Sequence, residues 1–127
     1  MIFDASSIFL AVKSKKLTVL KDAKTSQLVR YELGNAVWKE VRIHKTVSCE
    51  RALELLNLLG SVVDKIEIAE PDYVETLKTA CRYNLTFYDA VYVQLAMENS
   101  DVLITEDKKL RNKVSGDLDV LSVADLD

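Results

Sequence analysis

Thr86-Phe87-Tyr88-Asp89-Ala90-Val91-Tyr92-Val93-Gln94-Leu95-Ala96 decides how the rest of the chain is read. Thr86 is a good helix N-cap, and Asp89 stands three residues on, where a capping box takes an acid. Val91, Leu95 and Ala96 recur at helical spacing and should pack on a core, with Tyr88 and Tyr92 on a second, half-buried stripe. A cap would account for Asp89 if the stretch stood alone. Three other acids, Asp4, Glu32 and Asp107, occupy comparable transitions elsewhere in the chain, and the four call for a common explanation.

Outward from this helix, towards the C terminus, Val102-Leu103-Ile104-Thr105 reads as a short apolar strand. Glu106 to Val114 follows as a helix, and Ser115-Gly116 turns into a last strand over Val120 to Val123. In the other direction, Pro71 begins a helix at its first turn, with Asp72 and Glu75 behind it, and Asn84 closes it. Val62 to Ile68 alternates partly as a strand. Before it, Ser48 caps a helix that runs through Leu59 and that Gly60 is placed to end. A longer helix, Ser26 to Lys45, carries Val29, Leu33, Val37 and Val41 on one face and Tyr31 and Trp38 on another. Two apolar faces imply deep burial or a surface shared with a second subunit. Leu17 to Leu20 fits a strand or a helix equally. Met1-Ile2-Phe3-Asp4 is a short buried strand ending on an acid, with Ser6 and Ser7 opening a helix through Val12.

Short apolar strands alternating with helices predict an α/β layered domain with a mainly parallel sheet. At 127 residues and 49% hydrophobic the chain suits one compact domain, 1–127, with a sizeable core. The longest uncharged apolar run, Leu55 to Val63, is far below the ~18 residues of a membrane span. Asp4 interrupts the N terminus before a signal peptide could form, so a cytoplasmic protein is expected. Cys49 and Cys81 lack metal-site spacing and read as buried free thiols. The net charge of −3 conceals an asymmetry. Residues 1–48 hold nine Lys or Arg against four acids, or +5; the remainder holds eight against sixteen, or −8. Such a basic part can face a polyanion, and Lys13, Lys15, Lys16 and Arg30 are the candidates for guiding one. His44 as the sole histidine and the lack of a Ser nucleophile setting argue against a triad enzyme.

In open parallel sheets, ligands sit beyond the carboxyl ends of the strands. Asp4 ends the first strand and Asp107 lies just past the Val102–Thr105 strand, so both reach one edge. Glu32 and Asn35 share a face of the long helix, and Asp89 projects from the first turn of its own. Gathered carboxylates repel one another, so a site holding all four needs a cation or altered protonation. Oxygen ligands with no His or Cys nearby suit magnesium or manganese rather than zinc. Each acid also has a plain structural use: Asp4 as a cap, Glu32 as solvated surface, Asp107 as a partner for Lys108 or Lys109.

The chain resembles the PIN-domain ribonucleases, and among them the VapC-like toxins of toxin–antitoxin pairs. The resemblance rests on Asp4-Ala5-Ser6, Glu32-Leu33-Gly34-Asn35, Tyr88-Asp89-Ala90 followed by Tyr92, and Thr105-Glu106-Asp107, in the family's order across nearly the whole chain. It implies a three-layer α/β/α fold around a short, mainly parallel sheet, and a magnesium-dependent endoribonuclease with manganese as a substitute. It carries Asp4 and Asp89 over as principal metal ligands, with Glu32 and Asp107 completing an acidic pocket. Ser6 and Thr105 would hold the ligands or water, and Asn35 would orient Glu32 or touch substrate. RNA, a small antitoxin and a second copy of the chain are the partners implied. The competing readings are a PIN-like module that binds RNA or protein without cutting, and an aspartyl-phosphate domain. The second is disfavoured, because Ser6 stands where a phosphatase of that kind carries its second Asp.

Overall fold

Ile2 and Phe3 are completely buried because they form the middle of the sheet. The computed structural model describes residues 1–126. Its strands are β1 (Ile2–Phe3), β2 (Lys24–Thr25), β3 (Glu67–Ile68), β4 (Leu103–Ile104) and β5 (Val120–Leu121). All pair in parallel, in the order β3-β2-β1-β4-β5. The helices are α1 (Ala5–Lys13), α2 (Leu28–Arg42), α3 (Cys49–Val63), α4 (Tyr73–Tyr83), α5 (Phe87–Glu98) and α6 (Lys108–Val114).

Register assigns the two faces. Ile2 lies opposite Leu103, and Phe3 opposite Ile104. Successive strand residues point to opposite sides. Ile2 and Leu103 therefore enter one cluster with Tyr92, Val93, Leu95, Leu110 and Val114 of α5 and α6. Phe3 and Ile104 enter the other with Ile8, Val29, Leu33, Leu59 and Val63 of α1, α2 and α3. Burying each such side chain contributes about 1.5–3 kcal/mol, so both layers are held by apolar contact. Helix α4 packs outside α5, with buried Thr79 donating to Gln94 Oε1 at 2.5 Å. This is the expected α/β/α sandwich.

Helix starts follow from their caps. Asp4, Ser48, Asp72, Thr86 and Asp107 each accept a backbone N–H from the first turn that follows. Gln27, ahead of α2, makes no capping bond with its side chain. Glu70 substitutes from just past β3, accepting Gln27 N–H and the Ser26 hydroxyl, both at 2.7 Å. Asn84 closes α4 in the left-handed conformation, as its position in the sequence suggested.

Several expectations change. Gly60 does not end α3, which continues to Val63; no glycine has the positive φ that a glycine stop uses. The strand expected over Val62 to Ile68 shrinks accordingly to Glu67–Ile68. Pro71 stands outside α4, ahead of its Asp72 cap. β2 was missed, because Lys24–Thr25 is short and carries no apolar side chain. Leu17–Leu20 forms a 3-10 turn. Cys49 and Cys81 are exposed, not buried. Tyr31 and Trp38 are exposed, so α2 is not sunk in the core of its own chain. α5 is buried nearly all round, from Ala90 to Ala96, and Tyr92 belongs to the core while Tyr88 faces out.

Strand order positions the site. From β1 the chain builds outwards through β2 to β3, then returns to place β4 on the other side of β1. A reversal of this kind leaves a crevice beyond the carboxyl ends of the two strands that flank it. Asp4 follows β1, and Thr105-Glu106-Asp107 follows β4.

Candidate active site at the strand reversal

Asp4 is buried and held from several sides. Its Oδ1 accepts the Ser6 hydroxyl at 2.7 Å and Ser7 N–H at 2.9 Å, and its Oδ2 accepts the Thr105 hydroxyl. Those groups tie the two strand ends together. Thr105 Oγ1 accepts Asp107 N–H at 3.1 Å, and Ser6 Oγ accepts Glu106 N–H at 3.1 Å. Ser7 Oγ donates to the Ile104 carbonyl at 2.8 Å. Burial nevertheless raises the Asp4 carboxyl above its ordinary value, outweighing the donors from Thr105, Ser7 and Ser6 that pull it down.

Glu32 is half-buried on α2, not solvated as its plain reading had it. The Tyr92 hydroxyl, from the buried face of α5, donates to its Oε1 at 2.5 Å. Burial raises the Glu32 carboxyl, the Tyr92 bond lowers it, and repulsion from Asp4 and Asp89 raises it again. Asp89, in the first turn of α5, is raised by burial and then by repulsion from Asp107, against the pull of Thr86 and Lys113. Burial and the neighbouring acid outweigh those two pulls, so the Asp89 carboxyl lies above its ordinary value. Asp107 caps α6, its Oδ1 accepting Lys109 N–H at 2.9 Å and Leu110 N–H at 3.1 Å.

The four acids thus form a string of mutually repelling charges, from Asp4 to Glu32, to Asp89, to Asp107. Among the described residues none of them has a salt-bridge partner. The other sequence candidates are less closely drawn in. Asn35 is exposed and makes no side-chain hydrogen bond among the described residues, so the contact that orients Glu32 is Tyr92's. Lys13 lies 3.9 Å from Glu40, and Arg30 pairs with Asp64 at 2.6 Å. Lys15 and Lys16 follow the C-terminal end of α1, roughly 14 Å of helix away from the Asp4 cap. The structure does not gather these four cations at the acids. The cation whose charge does reach Asp89 is Lys113, tethered by a 2.7 Å bond to the Asn84 carbonyl. Nothing in the local sequence marks Lys113, and the half-buried stripe expected of Tyr92 does not point to Glu32.

A family model for the PIN domain matches residues 2–114. The chain belongs to the PIN-domain family. This PIN domain is 38% identical over 93 residues to the exonuclease VapC9 of Pyrobaculum aerophilum, covering 73% of this chain and 68% of that protein. It is 30% identical over 97 residues to the ribonuclease VapC3 of the same organism, covering 73% and 72%. Its fold superposes on the crystal structure of PAE2754 from Pyrobaculum aerophilum with a TM-score of 0.82, at 29% identity and over 98% of this chain and 91% of the other. It is a VapC-like PIN domain.

Among the described residues no three Asp, Glu, His or Cys side chains are drawn tightly enough together to enclose an ion. The donor set of this PIN domain nevertheless fits a hard divalent cation in its chemistry. It consists of carboxylate oxygens alone, and three of the four are buried or half-buried with no salt-bridge partner among the described residues. A bound cation relieves that repulsion.

Proposed function

We propose that this PIN domain is a magnesium-dependent endoribonuclease, able to use manganese, and the toxin of a toxin–antitoxin pair. The observation that carries the reading is the string of four unpaired carboxylates across the strand reversal. Asp4 and Asp89 would be the principal ligands, with Glu32 and Asp107 completing the set. When bound, the ion supplies charge neutralisation at the scissile phosphate and a more acidic water. The chain's own residues fix the ligands. Thr105, Ser6 and Ser7 N–H clamp the Asp4 carboxylate, and the Tyr92 hydroxyl holds Glu32. Lys113 offsets part of the charge at Asp89.

The relatives' names, one an exonuclease and one a ribonuclease, leave the mode of cleavage to experiment. A circular RNA has no end, so only an endonuclease opens it. Magnesium is expected to linearise it, a chelator to stop the reaction, and Asp89→Asn to reduce it by orders of magnitude. Full activity in Asp89→Asn, or in the chelator, would end this reading; protein that binds the circle without opening it would favour a silent RNA-binding module.

The VapC names of the relatives also support a small antitoxin partner, for which the acids offer a docking point to a basic side chain. No helix of the described residues is long and apolar enough to cross a membrane, in keeping with a cytoplasmic setting for such a pair. A homodimer is supported by the exposed Trp38 of α2 and Leu53 and Leu56 of α3. Light scattering at high micromolar concentration tests it, and a monomeric mass would count against it.

A further inference from the structure

Beside the acids lies a cleft of about 460 Å³ between the starts of α2, α4 and α5. Leu28, Tyr73, Phe87, Tyr88 and Val91 make its walls, and Glu70 stands among them. Tyr73 and Phe87 meet edge to face, with ring centroids 5.5 Å apart at 69°. Tyr73 and Tyr88 are 79% and 61% exposed, although aromatic rings of this size usually find cover. Tyr31, 80% exposed, lies one helical turn beyond Leu28 on the same stripe of α2. The cleft shares its helices with the proposed site: Tyr88 immediately precedes Asp89, and Leu28 lies one turn before Glu32.

Charge restricts what can enter. Glu70 has no salt-bridge partner among the described residues, so the cleft repels phosphate. Each Glu70 oxygen already accepts one bond, from Ser26 or Gln27, and a carboxylate has about four acceptor positions, so capacity remains for an N–H donor. An uncharged flat ring with N–H groups on its edge satisfies the aromatic walls and the acid together. A nucleobase is such a ring, and base–aromatic stacking tolerates any sequence.

We infer that this cleft takes an unstacked base of the RNA next to the cleaved bond, stacked on Tyr88 and Tyr73 with an edge N–H donated to Glu70. The identity of the ligand rests on the ribonuclease reading; the pocket's chemistry does not. The probe is a short single-stranded RNA carrying one 2-aminopurine, titrated with the whole protein in calcium buffer while its fluorescence is read. Stacking should quench the probe. Tyr88→Ala should weaken binding by roughly 5- to 150-fold, the range for losing one stacked base. Tyr88→Phe, which keeps the ring, should bind like the wild type, and Tyr73→Ala should weaken binding as Tyr88→Ala does.

Binding without quenching, failure of the oligomer to bind, or an unchanged affinity in both alanine variants would overturn the inference. So would light scattering showing that Tyr88→Ala merely separates a dimer while quenching persists, which would make the cleft a contact between copies. Cleavage of the circular RNA is scored separately. A nuclease that cuts normally without quenching loses only the cleft, and quenching without metal-dependent cleavage loses only the nuclease.

Discussion

The Tyr92 hydroxyl donates to Glu32 Oε1 at 2.5 Å, joining the buried middle of α5 to α2 across 60 residues of sequence. Burial, and then the charge of Glu32, push the Tyr92 phenol far above its ordinary range, so it remains a donor at every working pH. Tyr92→Phe keeps the ring in the core and deletes that donor. Loss of stability should be modest, about 1–2 kcal/mol, because half-exposed Glu32 can turn to water. Metal-supported cleavage should fall by about 10–100-fold, the usual effect of freeing a metal ligand from its support. Urea denaturation and cleavage assays on one preparation separate the two effects. Wild-type cleavage would mean that Glu32 needs no such support.

Asp4 and Asp89 should differ when mutated. Asp4→Ala removes a buried helix cap and strands the donors of Ser6, Ser7 and Thr105, so it should destabilise the fold by about 2–4 kcal/mol as well as abolish cleavage. Asp89→Asn leaves the Thr86 cap in place and should abolish cleavage with little change in Tm. Thermal melts decide: equal losses of Tm in the two variants would contradict this division.

Folding raises the carboxyl pKa of Asp4, Glu32 and Asp89, so the native chain holds protons more readily than the unfolded one. Their charged forms therefore oppose folding, and that opposition grows as pH rises from the ordinary carboxylate range through the raised values. Glu40, Asp101 and Asp125 are shifted the other way, and their stabilisation is already complete above that range. In chelator, Tm should drop as pH rises from the ordinary carboxylate range towards neutrality, and magnesium should restore more at the neutral end of that window than at its acid end. Asp89→Asn should flatten the slope. A Tm that climbs across that window in chelator would refute the balance described.

Lys113 is the cation whose charge reaches Asp89, whereas Lys15 and Lys16 stand at the far end of α1. Lys113→Met should weaken RNA binding and reduce its salt slope by about one. Lys15→Glu with Lys16→Glu should leave both near wild type. The reverse ranking in a salt series would return the guiding role to the basic N-terminal segment.

The parts of the fold that could be read from sequence are those whose residues are committed to one environment. Ile2–Phe3 and Leu103–Ile104 are apolar on both faces because both faces are covered, which is what a central parallel strand requires. Lys24–Thr25 carries no such mark: Thr25 is buried through a 2.7 Å bond to the Phe3 carbonyl, and Lys24 reaches the rim. Gly60 misled because a glycine's presence does not reveal its φ. Tyr88 and Tyr92 share a stripe yet end in opposite environments, since α5 is apolar almost all round and its pattern does not say which part stays open. The four acids were legible as a set. Their supports, Tyr92, Ser7 and Lys113, were not, because each acts through a contact that only the folded chain creates.

The central pair β1–β4 carries a consequence for how the protein is made. Strand β1 leaves the ribosome well before its neighbour β4, which is roughly 100 residues behind it, and Thr105, the partner of the Asp4 carboxylate, comes later still. An emerging chain therefore carries Asp4 without its Thr105 partner until β4 and the residues after it have emerged. Chains stalled before Val102 are expected to be protease-sensitive and unable to cut RNA, and a stalled chain that cuts would disprove it. The ribosome, itself largely RNA, would thus be spared this nuclease until Thr105 has joined Asp4.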